Sequence, residues 1–488
     1  MDKHTAFLEF ERAEATNRPV RERVRDFREF HELQPVEVLH EQAARCMDCG
    51  VSFCHAGMNI DGISIGCPLS NLIPEINDLI YRGLFDEAYE RLRRTNPFPE
   101  FTGRICPALC EGSCTLGEHE LPVTIKDLEH FLGLHAEAAN LVQPRIPTTR
   151  TGRKVAVIGS GPAGLSCAYR LNQLGEQVTV FERADRPGGL LMYGVPTMKL
   201  DKSVISRRVA VMEAEGIRFE LNAEVGASTP LQELLDGFDA LVLCCGITKA
   251  RKLNVPGANM GGVAYAIDYL TSATRALIDE GYQVDELLDA KGKDVVIVGG
   301  GDTGTDCLAT AIRQRARTVV QFQHNPRPPE TRPSDNPWPL WPRVLRTDYG
   351  QLEAIEVFGK DPREFETSVK EILGDEEGRV FAVKTARYRM SYQGNMRIKT
   401  ELEGSERTIP ADLVLVAMGF ERPDGLLIDA LGLATDARGT VATRTGSYST
   451  SLNSVFVAGD MRRGQSLVVW ALVEGRDAAE ECHAFLNR

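Results

Sequence analysis

Two runs in this chain carry almost nothing but apolar side chains, Lys154 to Ile158 (KVAVI) and Asp294 to Val298 (DVVIV). A strand without polar alternation is covered on both faces, the condition of a parallel sheet packed between helices. Each run enters a glycine-rich turn, Gly159-Ser160-Gly161-Pro162-Ala163-Gly164 and Gly299-Gly300-Gly301-Asp302-Thr303-Gly304. A helical period follows each turn, over Leu165 to Leu174 and on to about Arg315, and then a second strand run, Val178 to Phe181 and Thr318 to Phe322. The pattern predicts two strand–turn–helix–strand units in one chain. Buried-strand runs recur at Leu413 to Val416 and at Val455 to Val457, the latter ending Ala458-Gly459-Asp460, and are expected to return the chain to the first sheet. Upstream, helix-like pieces at Leu79 to Arg93 and Ile125 to Ala139 alternate with Cys, Pro and Gly, and Leu141 to Arg153 has the prolines and missing apolar period of a linker. The expected organisation is α/β: a helical domain over 1–145, a first dinucleotide-type domain over 151–290, a second over 291–405, and the return of the first over 406–488.

The glycine spacing gives each turn a chemical task. Gly159 makes the turn, Gly161 lets backbone approach a pyrophosphate, and Gly164 lets helix and strand pack closely. Glu182, at the end of the second strand, stands where ribose hydroxyls are held. An ordinary loop is the alternative for a glycine turn alone; strand, turn, helix, strand and acid in series argue against it. The second unit ends Gln321-Phe322-Gln323-His324-Asn325, with neither an acid for a ribose 2′-OH nor an Arg pair for a 2′-phosphate, although Arg327 and Arg332 follow. Nucleotide choice is open on this evidence. The next stretch, Asn325 to Pro342, is crowded with prolines and holds Trp338 and Trp341, and reads as an ordered loop over the second domain.

Seven of the twelve cysteines fall in the first 114 residues: Cys46, Cys49, Cys54, Cys67, Cys106, Cys110 and Cys114. Short Cys-x2-Cys and Cys-x3-Cys steps bring thiolates to one side of a turn, and a Pro directly after Cys67 and Cys106 resembles the ferredoxin run in which such a Cys serves a second iron–sulfur cluster. Structural zinc and disulfides are the alternatives. Zinc wants four ligands per ion in compact groups, which neither triplet supplies alone. The other cysteines suit plain packing, Cys167, Cys307 and Cys482 in helices and Cys244-Cys245 in a strand. No Cys-x4-Cys or Cys-x2-Cys follows the first glycine turn, so a disulfide reductase of the glutathione-reductase kind would lack its redox pair.

At 488 residues and 43% hydrophobic side chains the chain is long enough for about three domains. A formal net charge of −13 argues against a nucleic-acid groove. The one basic run, Arg18 to Arg28, is interleaved with Glu22 and Asp26 and is expected to be a solvated helix face, docking to an acidic partner being the alternative. The start, Met1 to Glu9, has acids where an export signal has a basic and then an apolar stretch, and the longest apolar runs are strand-sized. The expectation is a cytoplasmic protein without a membrane anchor.

Together, Cys46-Met47-Asp48-Cys49-Gly50, Gly103-Arg104-Ile105-Cys106-Pro107, Cys110-Glu111-Gly112-Ser113-Cys114, the two glycine turns, Pro187-Gly188-Gly189 and Val457-Ala458-Gly459-Asp460 resemble the small (β) subunit of glutamate synthase over nearly the full length. The same module resembles the front half of dihydropyrimidine dehydrogenase. The resemblance implies FAD on the discontinuous outer domain, with Gly159, Gly161, Gly164 and Glu182 at its pyrophosphate and ribose, Gly188 and Gly189 near the flavin, and Gly459 and Asp460 at the ribityl phosphate. It implies NADPH or NADH at Gly299, Gly301, Asp302, Thr303 and Gly304. It further implies two [4Fe-4S] clusters, one held by Cys46, Cys49, Cys54 and Cys114, the other by Cys67, Cys106, Cys110 and Glu129, for which an exposed helix glutamate is the alternative. The family usually has only a few residues between its third and fourth cysteines, whereas HAGMNIDGISIG separates Cys54 from Cys67 here.

The function implied is electron input: NAD(P)H oxidised at FAD, electrons passed singly through the clusters to a large (alpha) subunit that makes L-glutamate from L-glutamine and 2-oxoglutarate. No side-chain acid or base is required for the hydride step. Rival readings are the reductase subunit of a pyrimidine dehydrogenase, a ferredoxin-linked transhydrogenase and, from another class, a nucleotide-sensing adapter with structural clusters. Residues 1–140 are expected to be separable from a foldable flavoprotein.

Overall fold

Apolar stripes on short helices build the amino-terminal part of the computed structural model, which describes residues 3–60, 62–393 and 396–488. Its main helices are α1 (Val36–Ala44), α2 (Ile73–Tyr81), α3 (Phe85–Leu92), α4 (Pro99–Ile105), α5 (Leu109–Gly112) and α6 (Ile125–Ala138). Leu39, Ile76, Ile80, Leu92, Phe101 and Leu128 point from them into one core. The stretch expected to be one helix over Leu79 to Arg93 is two, because Gly83 turns the chain between α2 and α3 at φ +74°. The long Cys54–Cys67 spacer folds back as a hairpin, β1 (Met58–Ile60) against β2 (Ile63–Ile65). That closure returns Cys67 to Cys54, whose carbonyl accepts the Cys67 N–H at 2.7 Å.

The first dinucleotide unit follows as β3 (Lys154–Ile158), α7 (Pro162–Gln173), β4 (Gln177–Phe181), α8 (Leu190–Tyr193), α9 (Lys202–Ala214), β5 (Arg218–Glu220) and β6 (Ala240–Leu243). The chain then leaves along Lys249–Ala250, which pairs antiparallel with the returning Phe420–Arg422. The second unit comprises β7 (Val263–Tyr265), α10 (Ala266–Ile278), β8 (Asp294–Val298), α11 (Asp302–Arg313), β9 (Thr318–Gln323), α12 (Tyr349–Phe358) and β10 (Arg363–Phe365). An antiparallel sheet of β11 (Thr367–Gly374), β12 (Val380–Gln393), β13 (Met396–Glu401) and β14 (Arg407–Pro410) leads to β15 (Leu413–Val416). The return carries β16 (Val455–Val457), α13 (Asp460–Arg463) and α14 (Val468–Leu486). The two parallel sheets run β16-β6-β3-β4-β5 and β10-β9-β8-β15-β7.

The structure departs from four further expectations. Strand β15 lies between β8 and β7, so Leu413–Val416 completes the second sheet and only Val455–Val457 returns to the first. With β7 also in the second sheet, the crossings fall at the 249–250 and 420–422 ribbon and not at 290/291 and 405/406. A fully apolar strand carries no mark of which sheet it joins; Asp412, accepting the Asp294 N–H at 2.9 Å, helps to fix this one. Second, the Arg18 to Arg28 run is not a solvated helix face: its helix is only Val20–Arg23, and Arg23 lies buried against Glu353 of α12. Third, the proline-rich segment leaves the second unit and packs on the cysteine-bearing turns: Arg332 donates to Gly112 O (3.3 Å), Ser113 to Pro339 O (2.8 Å) and the Trp338 indole N–H to Cys114 O (3.3 Å). Fourth, the amino-terminal domain, expected to be separable, does not have a core to itself. Its core is continuous with that of the first unit, through Phe98 on Tyr169 (5.7 Å between rings) and the buried Arg208–Glu100 pair (2.5 Å).

Candidate cofactor sites

The turn after β3 is shaped by what surrounds it. Gly159 has φ +97°, and a Cβ there would lie 2.6 Å from Cys244 O. A Cβ on Gly164 would meet Gly159 O at 1.9 Å, so α7 starts in contact with the turn. At Gly161 a Cβ would meet nothing within 4 Å, so this face of the helix N-terminus is open, as the approach of a pyrophosphate requires. Gly189 closes the site from the side, its missing Cβ only 2.9 Å from Gly161 Cα, and Gly188 donates its N–H to Ser160 Oγ at 2.9 Å. Glu182 is buried and already engaged: it accepts from Ser160 N (3.0 Å), Ser160 Oγ (2.5 Å) and Ala184 N (2.9 Å). Its carboxylate thus braces the turn, a role the spacing did not reveal. From the far end of the sheet, Gly459 abuts Ala163, and Asp460 accepts from Ser466 Oγ at 2.6 Å, its carboxyl pushed up to about 6 by burial despite that bond.

The second turn repeats the design. A Cβ on Gly299 would sit 2.1 Å from Ala417 O and one on Gly304 2.6 Å from Gly299 O, while Gly301 again faces open space beside the exposed Asp302 and the half-buried Thr303. Register identifies the residue equivalent to Glu182. Phe181 pairs with Ile158 and Phe322 with Val298, so the position after the strand is Gln323, a neutral amide. Arg332 is spent on the carbonyls of Leu340, Asn336 and Gly112, and Arg327 on Glu330.

Between the two units lies a constellation that motif reading missed. Lys199, in the segment after Gly188 and Gly189, reaches the buried Asp306 of α11 at 3.2 Å, and Tyr349 OH donates to the same oxygen at 2.6 Å. Burial pulls the Lys199 ammonium down, but Asp306, Asp348 and Asp302 outweigh it and hold it protonated. Asp306 stands two residues beyond the second glycine turn and Lys199 in no motif, so only the packing of one domain on the other could disclose the pair.

The seven thiols and Glu129 come together in two groups. Cys46, Cys49, Cys54 and Cys114 line one cavity with Asn77 and Ile125. Burial pushes the Cys54 thiol up, and the charges of Cys114, Cys46 and Cys49 add to it. In the other group Cys67 and Cys106 are each pushed up to about 12, by burial first and then by Glu129, and Cys110 likewise feels Cys67, Cys106 and Glu129. Glu129 is therefore no exposed helix glutamate. It accepts from Thr102 Oγ1 (2.5 Å) and Asn71 Nδ2 (3.1 Å), and burial pushes it up to about 7. Burial outweighs Lys3 at Cys46 and Lys126 at Cys106, so these thiols resist ionisation, and a bound positive centre is what would reverse that. Among the described residues no three His, Cys, Asp or Glu side chains close around a single ion. Cys167, Cys244, Cys307 and Cys482 are buried packing residues, Cys245 is half-buried, and all are free.

Fold and sites define the class: a pyridine nucleotide oxidoreductase carrying an amino-terminal iron–sulfur domain. The family model described as dihydropyrimidine dehydrogenase domain II, 4Fe-4S cluster, matches residues 23–141, and that of pyridine nucleotide-disulphide oxidoreductases matches 118–237, 153–336 and 363–475. The chain is 46% identical over its whole length to the glutamate synthase [NADPH] small chain of Bacillus subtilis, covering 99% of that protein, and 46% identical to the Mycobacterium tuberculosis H37Rv small chain, with 96% of this chain and 93% of that one aligned. It is 44% identical to the Schizosaccharomyces pombe glutamate synthase [NADH], where 99% of this chain spans 23% of that protein. The fold resembles Mycobacterium tuberculosis FprA in complex with NADPH (TM-score 0.52, 20% identity, 69% of this chain and 85% of that one). This chain belongs to the glutamate synthase small-chain family.

Proposed function

We propose that this chain is the electron-input subunit of a glutamate synthase, oxidising NAD(P)H and delivering electrons to a large subunit that makes L-glutamate from L-glutamine and 2-oxoglutarate. The observation that carries the reading is that the two groups of thiols share one continuous core with the first dinucleotide unit, to which Lys199–Asp306 ties the second, with full-length likeness to small chains. FAD and two [4Fe-4S] clusters, when bound, would supply hydride acceptance and one-electron transfer.

The chain's own residues do the holding. The open N-terminus of α7 at Gly161 offers its N–H groups to a pyrophosphate, Glu182 keeps that turn in shape and stands at the ribose, and Asp460 follows Gly459, which abuts Ala163 in the first turn of α7. Gly301, Asp302 and Thr303 offer the equivalent surface on α11 for the nicotinamide nucleotide. Lys199 and Asp306 pin the second unit to the segment after Gly189, which orients one nucleotide toward the other. Cys46, Cys49, Cys54 and Cys114 would hold one cluster, and Cys67, Cys106, Cys110 and Glu129 the other. Relatives named for NADPH and for NADH both align over nearly all of this chain, at 46% and 44% identity, and Gln323 carries no charge to favour either nucleotide.

The reading is tested with the chain and its large subunit. Alone, it should reduce dyes with NAD(P)H and make no glutamate; adding the large subunit should restore glutamate formation. Glutamate from the isolated chain, or co-purification with a pyrimidine-reducing subunit instead, would overturn it.

A further inference from the structure

We propose that the proline-rich strap between β9 and α12 is a positioning device for the two clusters, holding the turn from Cys110 to Cys114 through Trp338 and Trp341. The inference rests on the cluster reading above, in which Cys110 serves one centre and Cys114 the other. That turn is then the shortest covalent link between the centres, and its shape sets their separation and orientation.

The strap is built to hold it. Buried Asn336 staples the strap to itself, donating to Trp341 O (3.1 Å) and accepting from Arg343 N (2.7 Å), while Arg332 donates to Leu340 O (2.6 Å). On this braced loop Trp341 fills the space where a Gly112 Cβ would lie, 2.7 Å away, and Arg346 caps its other face at 3.9 Å. Trp338 donates its indole N–H to Cys114 O and packs on Phe53, the neighbour of Cys54, with rings 4.8 Å apart. Ser113 ties the arrangement to the other group: it donates to Pro339 O at 2.8 Å and accepts the N–H of Gly66, the residue before Cys67, at 2.9 Å. One loop of the nucleotide-binding unit thus touches Phe53 beside Cys54 and the Gly112–Cys114 end of the turn, and through Ser113 it reaches Gly66 beside Cys67. A residue such as Gly112 between two ligands, with its missing side chain replaced by a tryptophan from another domain, is explained by positioning and not by the packing of the strap's own domain.

The test compares wild type, Trp338→Ala, Trp338→Phe and Ser113→Ala as full-length protein purified anaerobically. Iron and FAD content are measured, with electron paramagnetic resonance of the dithionite-reduced clusters and NAD(P)H-dependent flavin reduction in stopped flow. Expected are FAD content and flavin reduction within twofold of wild type in every variant. In Trp338→Ala and Ser113→Ala the resonance spectrum should change and cluster reduction by NAD(P)H should slow at least tenfold, and Trp338→Phe should recover most of both because the ring still covers Phe53. Spectra and cluster reduction indistinguishable from wild type would overturn the proposal. So would loss of FAD in Trp338→Ala with an unaltered Ser113→Ala, which would make the strap a general support. Wild type without iron would overturn the cluster reading itself, a separate result.

Discussion

At the scale of single residues, the glycines differ in what they tolerate, and the difference is measurable. Gly164→Val places a side chain where 1.9 Å separates Cβ from Gly159 O, so helix and turn must part and bound FAD should be lost, read as flavin absorbance per protein. Gly301→Val adds its side chain to open space, so the protein should keep its FAD and lose only nucleotide affinity, by at least tenfold in titration. Flavin retained by the first variant would show that the first turn has been misassigned. Glu215 gives a prediction in pH. It accepts Arg145 N–H at 3.0 Å, its second oxygen is buried without a partner, and burial pushes its carboxyl from 4.5 to about 7 although Arg208 and Arg93 pull it down. Between those values the folded chain keeps a proton that the unfolded chain has released, so this group's stabilisation is full below pH 4.5 and is lost as pH rises through 7. Glu215→Gln keeps the acceptor for Arg145 and should remove the loss, equal to wild type at pH 4.5 and more stable at pH 8 by on the order of 1–2 kcal/mol in denaturant titration.

At the scale of elements, the amino-terminal segment and α11 and α12 are tied by a buried charge group. Glu353 takes Arg313 at 2.5 Å and Arg23 at 2.7 Å, with Phe30, Met198, Ala309 and Tyr349 packed alongside. Glu353→Gln would leave two guanidinium groups out of water with no counter-charge, at a cost of about 3–5 kcal/mol. The expected outcome is a lowered unfolding midpoint and faster limited proteolysis within residues 18–30. Unchanged cleavage there would show that the segment is held by its aromatic contacts alone. No helix among the described residues is long and apolar enough to cross a membrane.

At the scale of the whole molecule, the continuous core between cluster domain and first dinucleotide unit bears on how the electron route is probed. Removing residues 1–140 would strip Phe98 from Tyr169 and Glu100 from Arg208, so the remainder should aggregate and would report nothing about coupling. A single ligand change is the sharper probe. Cys49→Ser should lower iron from about eight to about four per chain and abolish glutamate formation with the large subunit, while FAD reduction by NAD(P)H persists. Zinc in place of iron in native protein, or full coupling in the variant, would contradict the route.

The sequence by itself determined the two strand–turn–helix units, the glycine spacing of their turns and the thiol-rich amino terminus, because those features are local. An apolar strand run, a turn that needs φ > 0 at Gly159 and a Cys-x2-Cys step are written within a few residues of each other. Tertiary structure decided whatever depends on a partner far along the chain. It sent Leu413–Val416 to the second sheet, folded the Cys54–Cys67 spacer so that Cys67 returned to Cys54, turned Glu129 inward, buried Arg23 on Glu353, joined Lys199 to Asp306 and laid Trp338 on Cys114. None of these has a periodic or spacing signal, since each is fixed by burial and by the charge or hydrogen bond waiting on another element.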